Sequence, residues 1–246
     1  MLGNNEIQIV DAFMQKIGFI HDPNASRIAN TWVDSSGSTP LRISIVGMSR
    51  TKYYGDVRMR RRHSYRITMF AELPFATRAS VCISRIGDGR FISWLNRRRG
   101  NHRLAISRNE YSDLAIWSID PQWMGSVFDD GSVAAAVGRL FREQESERGH
   151  LGLWIVPNEL QFNLRIRSLH QLERINELLP DIRFVYQRLQ SATTPKITSR
   201  LSFIEVQIRQ RPWLTVILFF VIALFVLFSC VAIPIVVLIG IALLFK

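Results

Sequence analysis

An α+β domain with a mostly antiparallel sheet flanked by helices, followed by a C-terminal transmembrane helix, is the fold class the sequence predicts. Three observations predict it. Apolar and polar residues alternate over several short stretches, 65–71 and 160–166 among them, which is the period of a half-buried strand. Other stretches carry apolar residues at helical spacing on one side only. The last apolar run, 213–245, holds 33 residues without a charge, and about 20 apolar residues already span a bilayer core as a helix.

The elements follow in order. Ile7, Val10, Phe13, Met14 and Ile17 mark a helix over 4–18, closed by Gly18. Residues 21–40, with Pro23, Asn24, Ser35-Ser36-Gly37-Ser38 and Pro40, read as loop. Leu41, Ile43 and Ile45 place a strand at 41–48, and 49–56 is polar connection. Tyr65, Ile67, Met69 and Ala71 make a second strand ended by Pro74, and Val81 and Ile83 a third, stopped by Gly87-Asp88-Gly89. Phe91 to Leu95 and Leu104 to Ser107 flank Gly100-Asn101, a hairpin turn signal that would lift Arg97, Arg98 and Arg99 to a tip beside Trp94. The alternative for Trp94 is a place facing the core.

Leu114, Ile116 and Ile119 predict another strand, followed by Asp120-Pro121. Asp129-Asp130-Gly131-Ser132 offers capping groups to a helix carried by Val133, Ala136, Val137, Leu140 and Phe141 to about Glu145. Leu151, Leu153, Ile155 and Leu160, Phe162, Leu164, Ile166 predict a hairpin turning at Pro157-Asn158. Ser168 with Gln171 forms a capping box for a helix that runs to Pro180, where it kinks or restarts before Ile182, Val185 and Leu189. This divides the chain into an α+β domain at 1–190, a linker and juxtamembrane segment at 191–212, and an anchor at 213–245.

At ~1.5 Å per residue a straight 33-residue helix would reach ~50 Å, more than one upright crossing needs. A single tilted helix and a re-entrant hairpin around Ser229-Cys230 and Pro234 both fit, and the single span is the expectation. Arg209 and Arg211 precede the run while Lys246 alone follows it, so the domain is expected in the cytoplasm. No basic-then-apolar leader opens the chain, and Gly3 is misplaced for myristoylation. In that compartment the Asn24-Ala25-Ser26 sequon is silent and Cys82 is a small buried hydrophobe rather than a ligand. A disulfide scaffold is excluded by the two cysteines, and a disordered chain by the 48% apolar content.

The formal charge of +11 is unevenly placed. Residues 1–108 carry 18 basic and 7 acidic side chains, whereas 109–212 carry 12 and 13. Two windows concentrate it: Arg50, Lys52, Arg58, Arg60, Arg61, Arg62 and Arg66, then Arg85, Arg90, Arg97, Arg98, Arg99, Arg103 and Arg108. Arginine outnumbers lysine 27 to 4, which makes forked contacts to phosphate or carboxylate available. Beside an anionic leaflet each such side chain adds ~1 kcal/mol of attraction. The expected binding residues are Arg58, Arg60, Arg61, Arg62, Arg97, Arg98 and Arg99 with Trp94. The expected partners are the anionic leaflet or an acidic protein. Nucleic acid is disfavoured, since no recognised binding motif accompanies the charge. The competing reading of both windows is a solvated basic face.

The order from Tyr111 to Leu169 is a strand Leu114-Ala115-Ile116-Trp117-Ser118-Ile119, the step Asp120-Pro121, a one-faced helix, then two alternating strands. It resembles the soluble module of uncharacterised bacterial membrane proteins, with Tyr111 and Asp120-Pro121 carrying the likeness. That family has no established active site, so the resemblance implies a membrane-associated module and transfers no residue roles.

Chemistry is sparse. His21, His63, His102, His150 and His170 form no metal-binding spacing, and neither a Gly-x-Ser-x-Gly elbow nor a phosphate-cradling loop is present. Asp129-Asp130 reads as a cap rather than as paired catalytic carboxylates, a Cys82/His63 nucleophilic pair is conceivable, and an enzyme whose site the sequence does not reveal stays open as a third hypothesis. No catalytic, metal or cofactor residue is assigned. The expectation is a non-enzymatic membrane-anchored module, with a membrane effector whose tail oligomerises and disturbs the bilayer as the alternative.

Overall fold

The structure is a computed structural model. It describes residues 2–23, 30–35, 41–54, 57–142 and 151–199, together with Phe220 and Val221. The chain separates into two units, 1–200 and 201–246. The expected anchor lies outside the described residues apart from Phe220 and Val221, which are helical and exposed. Among the described residues no helix is long and apolar enough to cross a membrane. The sequon at 24–26 and the expected end of the helix at 143–145 also lie outside them.

The first unit is α+β. Among the described residues nine strands form one antiparallel sheet in the order β1-β2-β3-β4-β9-β8-β5-β7-β6. The strands are β1 (Phe19–Asp22), β2 (Asn30–Asp34), β3 (Leu41–Tyr54), β4 (Val57–Glu72), β5 (Ala79–Ile83), β6 (His102–Leu104), β7 (Leu114–Ser118), β8 (Gly152–Val156) and β9 (Glu159–Ile166). The helices are α1 (Asn4–Lys16), α2 (Ser84–Gly87), α3 (Arg90–Arg98), α4 (Pro121–Phe128), α5 (Gly131–Arg142) and α6 (Glu173–Ser191).

One face of the sheet is dry. Ile43, Ile45, Ile67, Met69, Val81, Ile116, Leu153, Phe162, Leu164 and Ile166 are buried in the same cluster as Val10 and Met14 of α1, Val137 and Leu140 of α5, and Ile175, Ile182 and Leu189 of α6. The strand alternation decides this: β9 reads half-buried and buried in strict turn from Glu159 to Ile166. The alternate positions, Arg66, Thr68, Asn163 and Arg165 among them, therefore fall on the second face.

Several elements differ from expectation. Residues 21–40 are not all loop, because β1 and β2 form a hairpin whose Phe19 and Trp32 are fully buried. The polar stretch 49–56 is mostly strand, since β3 continues to Tyr54 opposite β4 after a register shift at Met48/Ser49. Cross-strand hydrogen bonds need no apolar side chains, so polarity did not end the ladder. An unforeseen helix, α4, starts at Asp120-Pro121; Asp120 Oδ1 accepts the Trp123 N–H at 3.1 Å and Pro121 occupies the first helical position. α6 runs through Pro180 without ending. Ile175, Leu178 and Leu179 before it and Ile182, Val185 and Leu189 after it are all buried, and that stripe outweighs the ~3 kcal/mol an interior proline costs.

The expected hairpin at 91–107 is replaced by α3. Gly100 takes φ +77°, its N–H donates to Arg97 O at 3.0 Å, and the Asn101 N–H donates to Asn96 O at 2.9 Å. These two bonds are those of a Schellman helix end. A glycine-asparagine pair suits a left-handed residue in either setting, and the helical spacing of Ile92, Leu95, Asn96 and Arg99 decides between them.

Candidate functional site

α2 and α3 lie against the second face of the sheet, over its β5–β7 end. A Cβ on Gly87 would overlap Cys82 Sγ and Ala115 Cβ, so only glycine permits this approach. Cys82, Ala115 and Trp117 form a small buried cluster there. Arg103 pins the turn between α2 and α3: its Nε lies 2.8 Å from Asp88 Oδ1, and its Nη2 donates to Leu114 O at 3.0 Å. Arg108 likewise pairs with Asp129 at 3.2 Å. Two members of the second arginine window are thus structural.

α3 presents two faces. Ile92, Leu95, Asn96 and Arg99 turn toward the sheet and help line a cleft of about 440 Å³. Phe91 and Trp94 point outward, 68% and 52% exposed, with ring centroids 6.0 Å apart. The Arg98 guanidinium sits 5.4 Å from the Trp94 ring, within cation–π range. Arg97 and Arg98 occupy the last turn, where cations favour the helix dipole. The expected residues Arg97, Arg98 and Trp94 are therefore on a helix rather than a hairpin tip, and Arg99, the residue that ends it, turns to the cleft while Trp94 faces outward. Neither of the two places expected for Trp94, a hairpin tip or the core, is the one it occupies.

Arg58, Arg60, Arg61 and Arg62 lie elsewhere. They are on the part of β4 that pairs only with β3, since β9 joins β4 from Tyr65 onward. This two-stranded ribbon sets Arg58 opposite Tyr53, Arg60 opposite Thr51, Arg61 opposite Arg50 and Arg62 opposite Ser49.

The two windows meet in the cleft. Arg66 of β4 and Arg99 at the end of α3 both line it, joined by Arg78 and Arg165, which charge counting along the chain did not single out. Arg66 and Arg165 are directly opposite in the β4–β9 register. Arg165 Nε donates to Ser64 Oγ at 2.8 Å, and Arg78 Nε to Ser199 Oγ at 2.6 Å. No Asp or Glu is among the described lining residues. Asn101 lines the same cleft, 7% exposed; its Nδ2 donates to Asn96 Oδ1 at 2.9 Å while its Oδ1 has no partner. Met48, Ile86, Ile92, Leu95 and Trp154 supply apolar wall. The polar residue at every second position of β9, Gln161, Asn163 and Arg165, was the sequence signal for this face.

Cys82 is not an activated thiol. Burial pushes the Cys82 thiol up to about 11, with the Asp88 carboxylate adding to the effect against Arg103, the wrong direction for a nucleophile. The His63 side chain lies outside the described residues. Among the described residues no three His, Cys, Asp or Glu side chains come together in a way that would hold a metal ion. The Asp130 carboxylate is a helix cap, accepting the Ser132 N–H at 2.7 Å.

The residues that carry the resemblance are structural. Tyr111 is buried and its hydroxyl donates to Phe128 O at 2.9 Å. Asp120 caps α4 and also accepts the Lys196 and Ile197 N–H groups at 2.8 and 3.1 Å. Together with the Trp123 Nε1 bond to Thr193 O and the Ser199 N–H bond to Ala76 O, this holds 193–199 on the domain.

No known family pattern matches the chain, and no curated protein matches it in sequence. Among solved structures, it is similar to the crystal structure of the mycobacterial trehalose monomycolate transport factor A, TtfA, at 7% identity and a TM-score of 0.41 over 77% of this chain and 97% of that one.

Proposed function

We propose that this protein is a non-enzymatic module, anchored by 213–245 with its α+β domain in the cytoplasm, whose basic α3 surface rests on an anionic leaflet. The observation that carries the reading is the outward face of α3. A stacked Phe91–Trp94 pair left in water forgoes the ~25 cal/mol per Å² that burial of apolar surface returns. Exposed Arg90, Arg97 and Arg98 flank that pair. Aromatic rings beside arginines are the composition of a headgroup-level contact, with the rings entering the interface and the guanidinium groups meeting phosphate. The anchor keeps the domain close to the bilayer, so a modest affinity suffices.

The test uses the full chain in bilayers of phosphatidylcholine alone or mixed with phosphatidylserine, with brominated lipid as tryptophan quencher. Trp94→Phe should lose a quenchable component in the anionic bilayer and little in the neutral one, and Arg97→Glu with Arg98→Glu should abolish the difference. Equal quenching of wild type and Trp94→Phe in both bilayers refutes leaflet contact. Capture of α3 by an acidic peptide under the same conditions would assign the surface to a protein instead.

A further inference from the structure

We infer that the cleft between α3 and the second face of the sheet binds a single-chain amphiphile with an anionic head, the chain lying under α3 and the head meeting Arg66. The inference does not rest on the leaflet reading, because the cleft is lined by the side of α3 that turns away from Phe91 and Trp94.

The first observation is an apolar surface that stays unsealed. Ile86, Ile92 and Leu95 above and Met48, Trp154 and Val156 below all line the cleft. Ile86 is exposed and the other five are half-buried, and no residue of α3 is fully buried. An amphipathic helix ordinarily closes its apolar side against the sheet beneath it. Here a volume of about 440 Å³ lies between the two, within the range of small-molecule pockets. A Cβ on Gly152 would overlap the Trp154 ring, so that ring lies along β8 as part of the floor. A hydrocarbon chain in this space covers the helix side and the sheet side at once, and removal of both from water favours its entry.

The second is a cation at one end. Arg78 and Arg165 are engaged by Ser199 and Ser64, and Arg99 also interacts within the domain, so those three guanidinium groups belong to the fold. Arg66 differs: it is exposed, and among the described residues none forms an ion pair with it. The register sets its distance from the apolar floor. Arg66 is opposite Arg165, and Trp154 is opposite Gln161, four positions back along β9. At ~3.3 Å per residue and ~4.8 Å per strand spacing, their backbones are ~16 Å apart. Asn163, between the two, accepts from the Thr68 hydroxyl at 2.6 Å. A cation at one end and an aromatic floor at the other match the head and tail of an amphiphile, and a forked donor pairs readily with a carboxylate or phosphate head.

The test uses the full chain in phosphatidylcholine nanodiscs, carrying Trp94→Phe so that the outer face of α3 is silent. The probes are 10-bromodecanoate, 8-bromooctanoate, 10-bromodecanol and 2-bromodecanoate, and the readout is the part of the tryptophan quenching that Trp154→Phe removes. With 10-bromodecanoate that part should saturate. The octanoate should bind more than tenfold more weakly, since each methylene is worth about fourfold. The uncharged alcohol should bind about tenfold more weakly, the worth of one charge-assisted hydrogen bond. 2-Bromodecanoate, whose bromine lies at the head, should displace 10-bromodecanoate while quenching Trp154 little. Arg66→Ala, at an exposed position with a melting temperature close to wild type, should bring the carboxylate down to the affinity of the alcohol and leave the alcohol unchanged. Ile92→Ser should weaken carboxylate and alcohol alike, about fivefold or more. Arg97→Glu with Arg98→Glu should leave these affinities in place, which separates this site from the leaflet contact. Displacement of the probe by decyl phosphate at a lower concentration than by decanoate assigns a phosphate head, and the reverse order assigns a carboxylate. Quenching that rises without saturating, or a carboxylate affinity indifferent to Arg66→Ala, overturns the proposal.

Discussion

Asp120 joins three parts of the chain through one carboxylate. It caps α4 through Trp123, and it holds the segment after α6 through the Lys196 and Ile197 amides. Burial by itself would raise its pKa; the N–H bonds from Trp123, Ile197 and Lys196, with the Lys196 charge, outweigh that and hold it below the usual carboxylate range. The stabilisation from a depressed carboxylate is complete above its unfolded value of about 3.9 and is lost as pH falls through the lower folded value. Asp120→Asn should therefore cost about 2 kcal/mol at neutral pH and flatten the acid limb of the stability curve below about pH 4. Chemical denaturation across pH reads both effects, and amide exchange at Lys196 and Ile197 should accelerate in the same variant. A variant whose acid limb keeps the wild-type slope would show that Asp120 is not the titrating group. The step Asp120-Pro121 was legible as punctuation, and its helix-starting half could have been read, since Asp before Pro is a cap followed by a first-turn residue. Its bonds to residues some seventy-five positions onward could not.

At the level of elements, strands announced themselves where alternation ran over several residues with one face on the core, as in β9. They were missed where alternation was masked by polarity, as in 49–54, or by short length, as in β1 and β2. α3 shows the complementary error. Gly100-Asn101 satisfies a hairpin and a helix end equally, so a local signal was ambiguous until helical spacing was weighed. β8 holds a further local device. A Cβ on Gly152 would overlap the ring of Trp154, so the glycine makes room for that ring beside the cleft. Gly152→Ala should turn Trp154 away and cost about 1–3 kcal/mol. Emission spectra compared with Trp154→Phe should show a shift belonging to that one ring, and an unshifted spectrum would mean that the ring does not lie over Gly152 in solution.

For the molecule as a whole, charge and hydropathy act over different distances. Raising salt from about 0.1 M to about 1 M shortens the Debye length from ~10 Å to ~3 Å and should erase the difference in Trp94 quenching between anionic and neutral bilayers. The apolar tail should remain membrane-associated throughout, because burial of hydrocarbon is not screened by salt. Quenching unchanged by salt would assign the contact to Phe91 and Trp94 without the arginines.

The sequence by itself determined the α+β class, most of the strands, the three longest helices α1, α5 and α6, the excess of arginine in residues 1–108, and the charge-free run at 213–245. Each of these is a periodicity or a count, set by neighbours in the chain. Only the tertiary structure decided the strand order, which inserts β9 and β8 between β4 and β5, and with it the cleft. Arg66, Arg78, Arg99 and Arg165 share no local pattern. They meet because antiparallel pairing brings distant segments into register, and because the second face of a sheet collects whatever polar residues the dry face leaves over.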